Sequence, residues 1–332
     1  MIRVHCFVSC LCESLKKVPG VDQRPFYFGV WDAEFFVTER HRLAYHAERS
    51  SPAFFCEWFE RLYGTPVRRW YVEAETKTQN QNRLLALLAD RPADRKILVM
   101  LDLYRMPERE NKFNQDPFPH YVMLETTEDP ESWLMQDPDF RWEGRLPKQR
   151  ILDSIASPAV AGGYFFDERS VRSARDDVVA RYFETCLLEH ENPFTAAIRG
   201  IVEAHLQGRD GTELSELKRA LREIPVLAIR KYAYEHGFAF FFRALAADPA
   251  EFDTLCDEVD TLVKTYTTVQ FRALKLAMTG ELSLAPGLFE LLDQQHAREL
   301  ALKRRLRELF HAWRALGDAE RARILAAPPV IP

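Results

Sequence analysis

Phe7, Leu11, Leu15 and Val18 recur at helical spacing and stop at Pro19-Gly20, which predicts an amphipathic helix whose first residue is Cys6. Residues 51–63 carry the same kind of stripe behind Ser51-Pro52, and residues 79–89 carry another. Elsewhere in this half the period shortens. Val67–Val72 alternates as a strand, and Lys96–Asp102 is a bounded apolar run of the kind that forms a central strand. Pro119–Glu125 and Ser132–Asp137 flank the turn residues Thr127–Pro130 as two arms of a hairpin. Gly162–Asp167 closes this half as a strand. From there the pattern is helical: 171–190, 193–208, 212–222, 225–246, 249–278 and 287–316 are each amphipathic, with Pro or Gly at their joints. The expected fold is an α/β (α+β) unit over 1–170 followed by an all-α domain over 171–332.

Composition adds exclusions. The 332 residues suffice for two packed units, and 47% hydrophobic beside 29% charged residues is the balance of a globular protein. A net charge of −5 speaks against nucleic acid or an anionic membrane as the main partner, since either would need a basic surface. With no run of about 18 apolar residues and no basic-then-apolar leader, the expected location is the cytoplasm. Cys6, Cys10, Cys12, Cys56, Cys186 and Cys256 form no Cys-x-x-Cys pair and no zinc-finger spacing, so reduced thiols and no metal site are expected.

Cys6 is the first residue with chemistry to offer. At a helix N-terminus the unpaired backbone N–H groups and the positive end of the dipole favour negative charge, and the same groups can hold the oxyanion of a tetrahedral intermediate. A base and an orienting acid come from the hairpin. With the turn near Glu128 and Asp129, position 120 pairs with about 137, which sets His120 beside Asp137. A cysteine at a helix start with a His/Asp pair downstream is the chain order of papain-like enzymes, in which imidazole moves the proton and the acid fixes its tautomer. The aromatic stretch Arg24–Phe36 holds Trp31, Asp32 and Glu34, a combination suited to a flat or cationic ligand. Asp102 and Tyr104, at the end of the predicted central strand, are the remaining candidate substrate contacts.

His5-Cys6, the segment Phe26–Phe36 with Phe28-Gly29, the strand ending Asp102-Leu103-Tyr104, and His120 followed by Asp137 resemble the butirosin-type cysteine acyltransferases. These are papain-like proteins that take an acyl group from a carrier-protein thioester and pass it to an amine. Total length and the helical second half are most similar to the members that transfer 3,4-dihydroxybenzoyl units from an aryl carrier protein to spermidine in petrobactin siderophore biosynthesis. The resemblance implies Cys6 as nucleophile, His120 as base and Asp137 as its partner. It implies no cofactor on this chain, with phosphopantetheine carried by the partner. Only five residues precede Cys6, so the upstream glutamine of many papain-like oxyanion holes has no counterpart. The residues alone leave open a cysteine peptidase or amidase, which fits the same triad, and a non-catalytic assembly-line partner with Cys6 in the core. They also leave the oligomeric state open.

Two charge runs complete the expectations. Glu251, Asp253, Asp257, Glu258 and Asp260 crowd one predicted helix and offer counter-charges to a polyamine. Lys303, Arg304 and Arg307 fall within one turn of another helix and are the expected docking face for an acidic carrier protein.

Overall fold

The computed structural model describes residues 5–47 and 51–317. In chain order its main elements are α1 (Cys6–Leu15), β1 (Phe36–Val37), β2 (Leu43–Ala44), α2 (Ala53–Tyr63), β3 (Arg68–Arg69), α3 (Lys77–Ala89), β4 (Arg95–Asp102), β5 (Pro119–Thr126), β6 (Ser132–Asp137), β7 (Trp142–Pro147), α4 (Lys148–Ile155) and β8 (Gly163–Asp167). Then come α5 (Asp176–Cys186), α6 (Pro193–Gln207), α7 (Leu217–Ala220), α8 (Ile224–Ala228), α9 (Ala233–Leu245), α10 (Pro249–Thr279) and α11 (Ala285–Ala315). The described residues divide into two compact units. One takes residues 5–26 and 51–179, the other 27–47 and 180–317.

The first unit is built on a six-stranded sheet in the order β3-β8-β4-β5-β6-β7, antiparallel at every step. β4 is central, as its apolar run predicts, and its last six residues are buried. Helix α1 lies along β5 and α4 against β4 and β7. The expected strand 67–72 shrinks to Arg68–Arg69 at the sheet edge, because Trp70 turns inward and donates its indole N–H to the Leu98 carbonyl at 3.0 Å. The sequence pattern did not announce β7, whose residues Trp-Glu-Gly-Arg-Leu-Pro alternate half-buried and exposed with little apolar content.

The second unit is helical. Helices α9, α10 and α11 pack on one another, and Phe183, Phe241, Phe310 and Trp313 form a chain of ring contacts in its core. Residues 27–47 belong here, including the small β1-β2 ladder. The expected helix 225–246 is broken into α8 and α9 by a 3-10 turn at Ile229–Tyr232, and 171–190 contracts to α5. No helix among the described residues is long and apolar enough to cross a membrane.

A buried ionic cluster ties this unit together. The Lys231 ammonium donates to Asp32 Oδ1 at 2.7 Å and to Glu299 Oε1 at 2.6 Å, and the Lys303 ammonium donates to Asp32 Oδ2 at 2.7 Å. The Tyr234 and Tyr266 hydroxyls complete the shell of Glu299. Two acids face two bases, so the cluster is neutral overall, which is the condition for burying ions at tolerable cost.

Candidate active site

Helix α1 starts at Cys6 with His5 as its N-cap, whose Nδ1 accepts from the Val8 N–H at 3.5 Å. The His5 N–H donates to the Asp139 carboxylate. Of the four N–H groups that a helix start leaves outside its own ladder, those two are thereby engaged, and the Cys6 and Phe7 N–H groups are the other two. Ser9, one turn on, donates its hydroxyl to Asp139 Oδ1 at 2.8 Å, so one carboxylate grips the first turn of α1 twice.

The hairpin supplies the partners in a different register from the one expected. Met123 pairs with Gln136 and Thr126 with Trp133, so the turn centre lies one residue further along and the register differs by two. A shift of two keeps every side chain on its face. His120 and Asp137 therefore remain on one face as diagonal neighbours, a separation that long side chains span. His120 Nε2 lies 3.0 Å from Asp137 Oδ1, both side chains are buried, and the remaining ring nitrogen is left for the Cys6 sulfur, which is near enough to act on the imidazole. Phe140 stacks parallel on the imidazole at 5.0 Å and its N–H donates to Asp137 Oδ1 at 3.2 Å.

Electrostatics follow from this packing. Burial disfavours the imidazolium, but the Asp137 carboxylate and the Cys6 sulfur outweigh it and hold the His120 pKa well above the ordinary histidine value. Burial would raise Asp137, yet His120 and then Arg109 bring it below the usual carboxylate value. Asp139 goes the other way: burial lifts it, and the neighbouring Asp137 charge adds to the rise. Cys10, one turn from Cys6 and fully enclosed, has its thiol pushed well above the ordinary range by burial.

The other candidates are placed differently. Trp31 is core: it stacks on Tyr234 at 5.0 Å and donates its indole N–H to the Cys186 carbonyl. Asp32 is locked between two lysines, which leaves it no free charge for a cationic substrate, and Glu34 is exposed, with its backbone carbonyl accepting from Arg230. Asp102 is an anchor at the end of β4. Its Oδ1 accepts from the Phe118 and Tyr104 N–H groups, its Oδ2 from the Ser157 hydroxyl and its carbonyl from the Ser154 hydroxyl. Tyr104 is 54% exposed. Lys303, expected on a docking face, has a fully buried side chain, and Arg307 is held by Glu189 at 2.8 Å, so of the three basic residues only Arg304 stands in solvent. On the acidic helix, Glu251 pairs with Arg305, Glu258 with Arg298 and Asp260 with Lys264.

Arg109, Asp139 and Phe140 were not anticipated from the sequence. Asp137-Pro138-Asp139 at a strand end is the one local signal, since two acids around a proline mark a turn whose carboxylates have partners elsewhere. Among the described residues no group of three or more His, Cys, Asp or Glu is disposed to hold a metal ion.

A half-buried thiol at a helix start, a buried imidazole near it and a buried carboxylate behind that imidazole come together in one unit, which is the arrangement that a nucleophile, a base and an orienting acid would require. The chain belongs to the DUF6005 family: the family's N-terminal domain matches residues 1–171 and its C-terminal domain residues 177–325. It is 41% identical over 319 residues to the petrobactin synthase of Bacillus anthracis, which covers 96% of this chain and 98% of that protein. That similarity bears out the resemblance drawn from short motifs and extends it over the helical half, where length and helicity had been the only guides.

Proposed function

We propose that this chain is a papain-like, thioester-dependent N-acyltransferase of siderophore biosynthesis, which moves an aryl group such as 3,4-dihydroxybenzoyl from an aryl carrier protein to a polyamine such as spermidine. The observation that carries the reading is His120, buried between the Cys6 thiol and the Asp137 carboxylate. The petrobactin synthase relative supports the pathway.

In the first half-reaction the Cys6 thiolate attacks the thioester carbonyl. A carbon–sulfur bond forms to Cys6, the phosphopantetheine sulfur leaves, and the His120 imidazolium protonates it. In the second, a neutral amine of the polyamine attacks the Cys6 acyl group, passes its proton to His120, and the carbon–nitrogen bond forms as the Cys6 sulfur departs. Asp137 stabilises the imidazolium and fixes the ring. The first-turn N–H groups of α1 are the donors nearest to hand for the oxyanion. Phosphopantetheine is part of the carrier substrate in this scheme, and this chain contributes the three side chains and the backbone N–H groups of α1.

Incubation with an aryl-loaded carrier protein, followed by intact-mass measurement, tests the reading. An aryl adduct on Cys6 that is discharged by spermidine is expected. Cleavage of peptides without an adduct would make the chain a peptidase instead, and neither adduct nor turnover would make it a non-catalytic partner.

A further inference from the structure

Arg109 sits in the segment between β4 and β5, where the sequence offers only a polar loop. Its backbone N–H closes a turn on the Met106 carbonyl at 2.9 Å, and the loop beyond is held by paired bonds between Asn111 and Gln115. These bonds tie the loop to itself on either side of Arg109. From it the Arg109 side chain, 4% exposed, reaches the Asp137 side chain, which is 0% exposed, and donates Nη2–H to Oδ2 at 2.6 Å. The guanidinium also lies 4.2 Å over the Trp142 ring. Asp137 and Trp142 are directly paired across β6 and β7, so their side chains share a face, and Arg109 fills the space in front of both.

A buried guanidinium with a single carboxylate partner is an expensive way to fill space, because an apolar side chain of similar volume would serve the packing as well or better. Its Nε is buried with no hydrogen-bond partner, which adds to that expense. The arrangement does supply something an apolar residue cannot. Asp137 has two carboxylate oxygens, and the one that Arg109 occupies faces away from the imidazole. Oδ1 is then left to His120 and the Phe140 N–H.

We propose that Arg109 is a positioning residue, which pins Oδ2 of Asp137 so that Oδ1 faces His120 throughout the reaction cycle. This rests on the acyltransfer reading above. When His120 gives its proton to the departing carrier thiol, Asp137 loses its counter-charge on that side, and Arg109 retains one on the other. The carboxylate therefore has no reason to turn or to take up a proton between half-reactions. Arg109 also contributes to holding Asp137 below the usual carboxylate value. The other charged or titratable groups around Asp137 are Cys6 beyond the imidazole, Asp139 and Cys10, with Glu110 facing Arg109.

The test uses Arg109→Gln, which removes the charge, and Arg109→Lys, which keeps it. The rate of Cys6 alkylation by iodoacetamide is followed against pH, beside the pH profile of acyl transfer. Alkylation reads the Cys6–His120–Asp137 unit whether or not the chain transfers acyl groups, so a wrong reaction and a wrong role for Arg109 give different results. Arg109→Gln should move the acidic limb upward by about one pH unit, a tenfold change in proton affinity, and Arg109→Lys should leave it within a few tenths of the parent. Unmoved limbs in both variants, whatever their melting temperatures, would reduce Arg109 to packing, and so would a limb displaced equally by Lys and Gln. A third measurement follows the Asp137 carboxyl carbon by NMR in the parent and in Arg109→Gln: its titration should lie at higher pH in the variant, and an unchanged titration would overturn the proposal.

Discussion

The Lys303 ammonium and the Asp32 carboxylate meet at 2.7 Å although 271 residues separate them in the chain. Each belonged to a different functional expectation, one to carrier docking and one to substrate binding, and their contact withdraws both from the surface. Truncating a buried partner leaves its neighbour's charge uncompensated, which costs about 3–5 kcal/mol. Lys303→Met should therefore lower the urea midpoint of the helical unit sharply. Arg304→Met, at the exposed neighbouring position, should stay within about 0.5 kcal/mol. Burial raises Asp32, but Lys231 and Lys303 overcome it and depress its pKa. Its contribution is accordingly present above the unfolded aspartate value and is lost as pH falls through the folded one.

Cys6 should be the one thiol that reacts quickly. Cys10, Cys12 and Cys186 are enclosed, with burial raising Cys10 and Cys186 well above the ordinary range, and Cys56 and Cys256 are pushed up to about 12 by the same cause. Brief iodoacetamide treatment followed by peptide mass mapping should label Cys6 first. Cys6→Ala should lose roughly 10³-fold or more in transfer, the loss of a covalent nucleophile. Cys10→Ala should keep its turnover and give up only stability.

Asp137 raises the His120 pKa, so Asp137→Asn should lower it, and the alkaline limb of the transfer profile should move to lower pH. His120 titration by NMR checks this directly. The pair also shapes stability. His120, raised when folded, contributes below its unfolded value near about 6.5 and loses that contribution as pH rises through the folded value. Asp137, depressed when folded, contributes above its unfolded value and loses it as pH falls through the folded one. Unfolding midpoints of His120→Ala should thus fall below the parent mainly from mildly acidic to neutral pH.

Asp102 and Tyr104 should separate under mutation although they are near neighbours. Asp102→Ala strands the Phe118 N–H and the Ser157 hydroxyl at the start of β5 and the end of α4, and each stranded group costs about 1–3 kcal/mol. Tyr104→Ala removes an exposed ring and should leave the melting temperature nearly unchanged. Equal losses of stability in the two variants would contradict the anchoring role of Asp102.

Much of this was legible in the chain because it depends on local pattern. Cys6 at a helix start and the β6 bounds Ser132–Asp137 follow from periodicity and breakers, which the structure reproduces. The His120–Asp137 pairing survived an error of two in register, since a shift by an even number keeps both residues on one face. Charge was read less well. Lys303 among arginines looks like solvated helix, and it is Asp32 and the Glu191 carbonyl, distant in sequence, that join the nearby Glu299 in taking it into the core. Arg109 has the same difficulty: nothing in a polar loop announces that one guanidinium turns inward toward a strand laid down 28 residues later.

The helical unit includes Tyr27–Ala47, a stretch that the chain threads into it before finishing the sheet unit. The boundary between the two family domains, near residues 171–177, is therefore a boundary in sequence that the folded units do not respect. A fragment beginning at 177 would keep Lys231 and Lys303 but leave Asp32 behind, and would also lose the Glu223 partner at Tyr45 and the Arg42–Glu216 ion pair. Neither half is then a self-sufficient module that evolution or an engineer could transplant intact. Cut at that joint, the protein becomes a pair of complementary fragments, in which residues 27–47 of the first are the missing piece of the second.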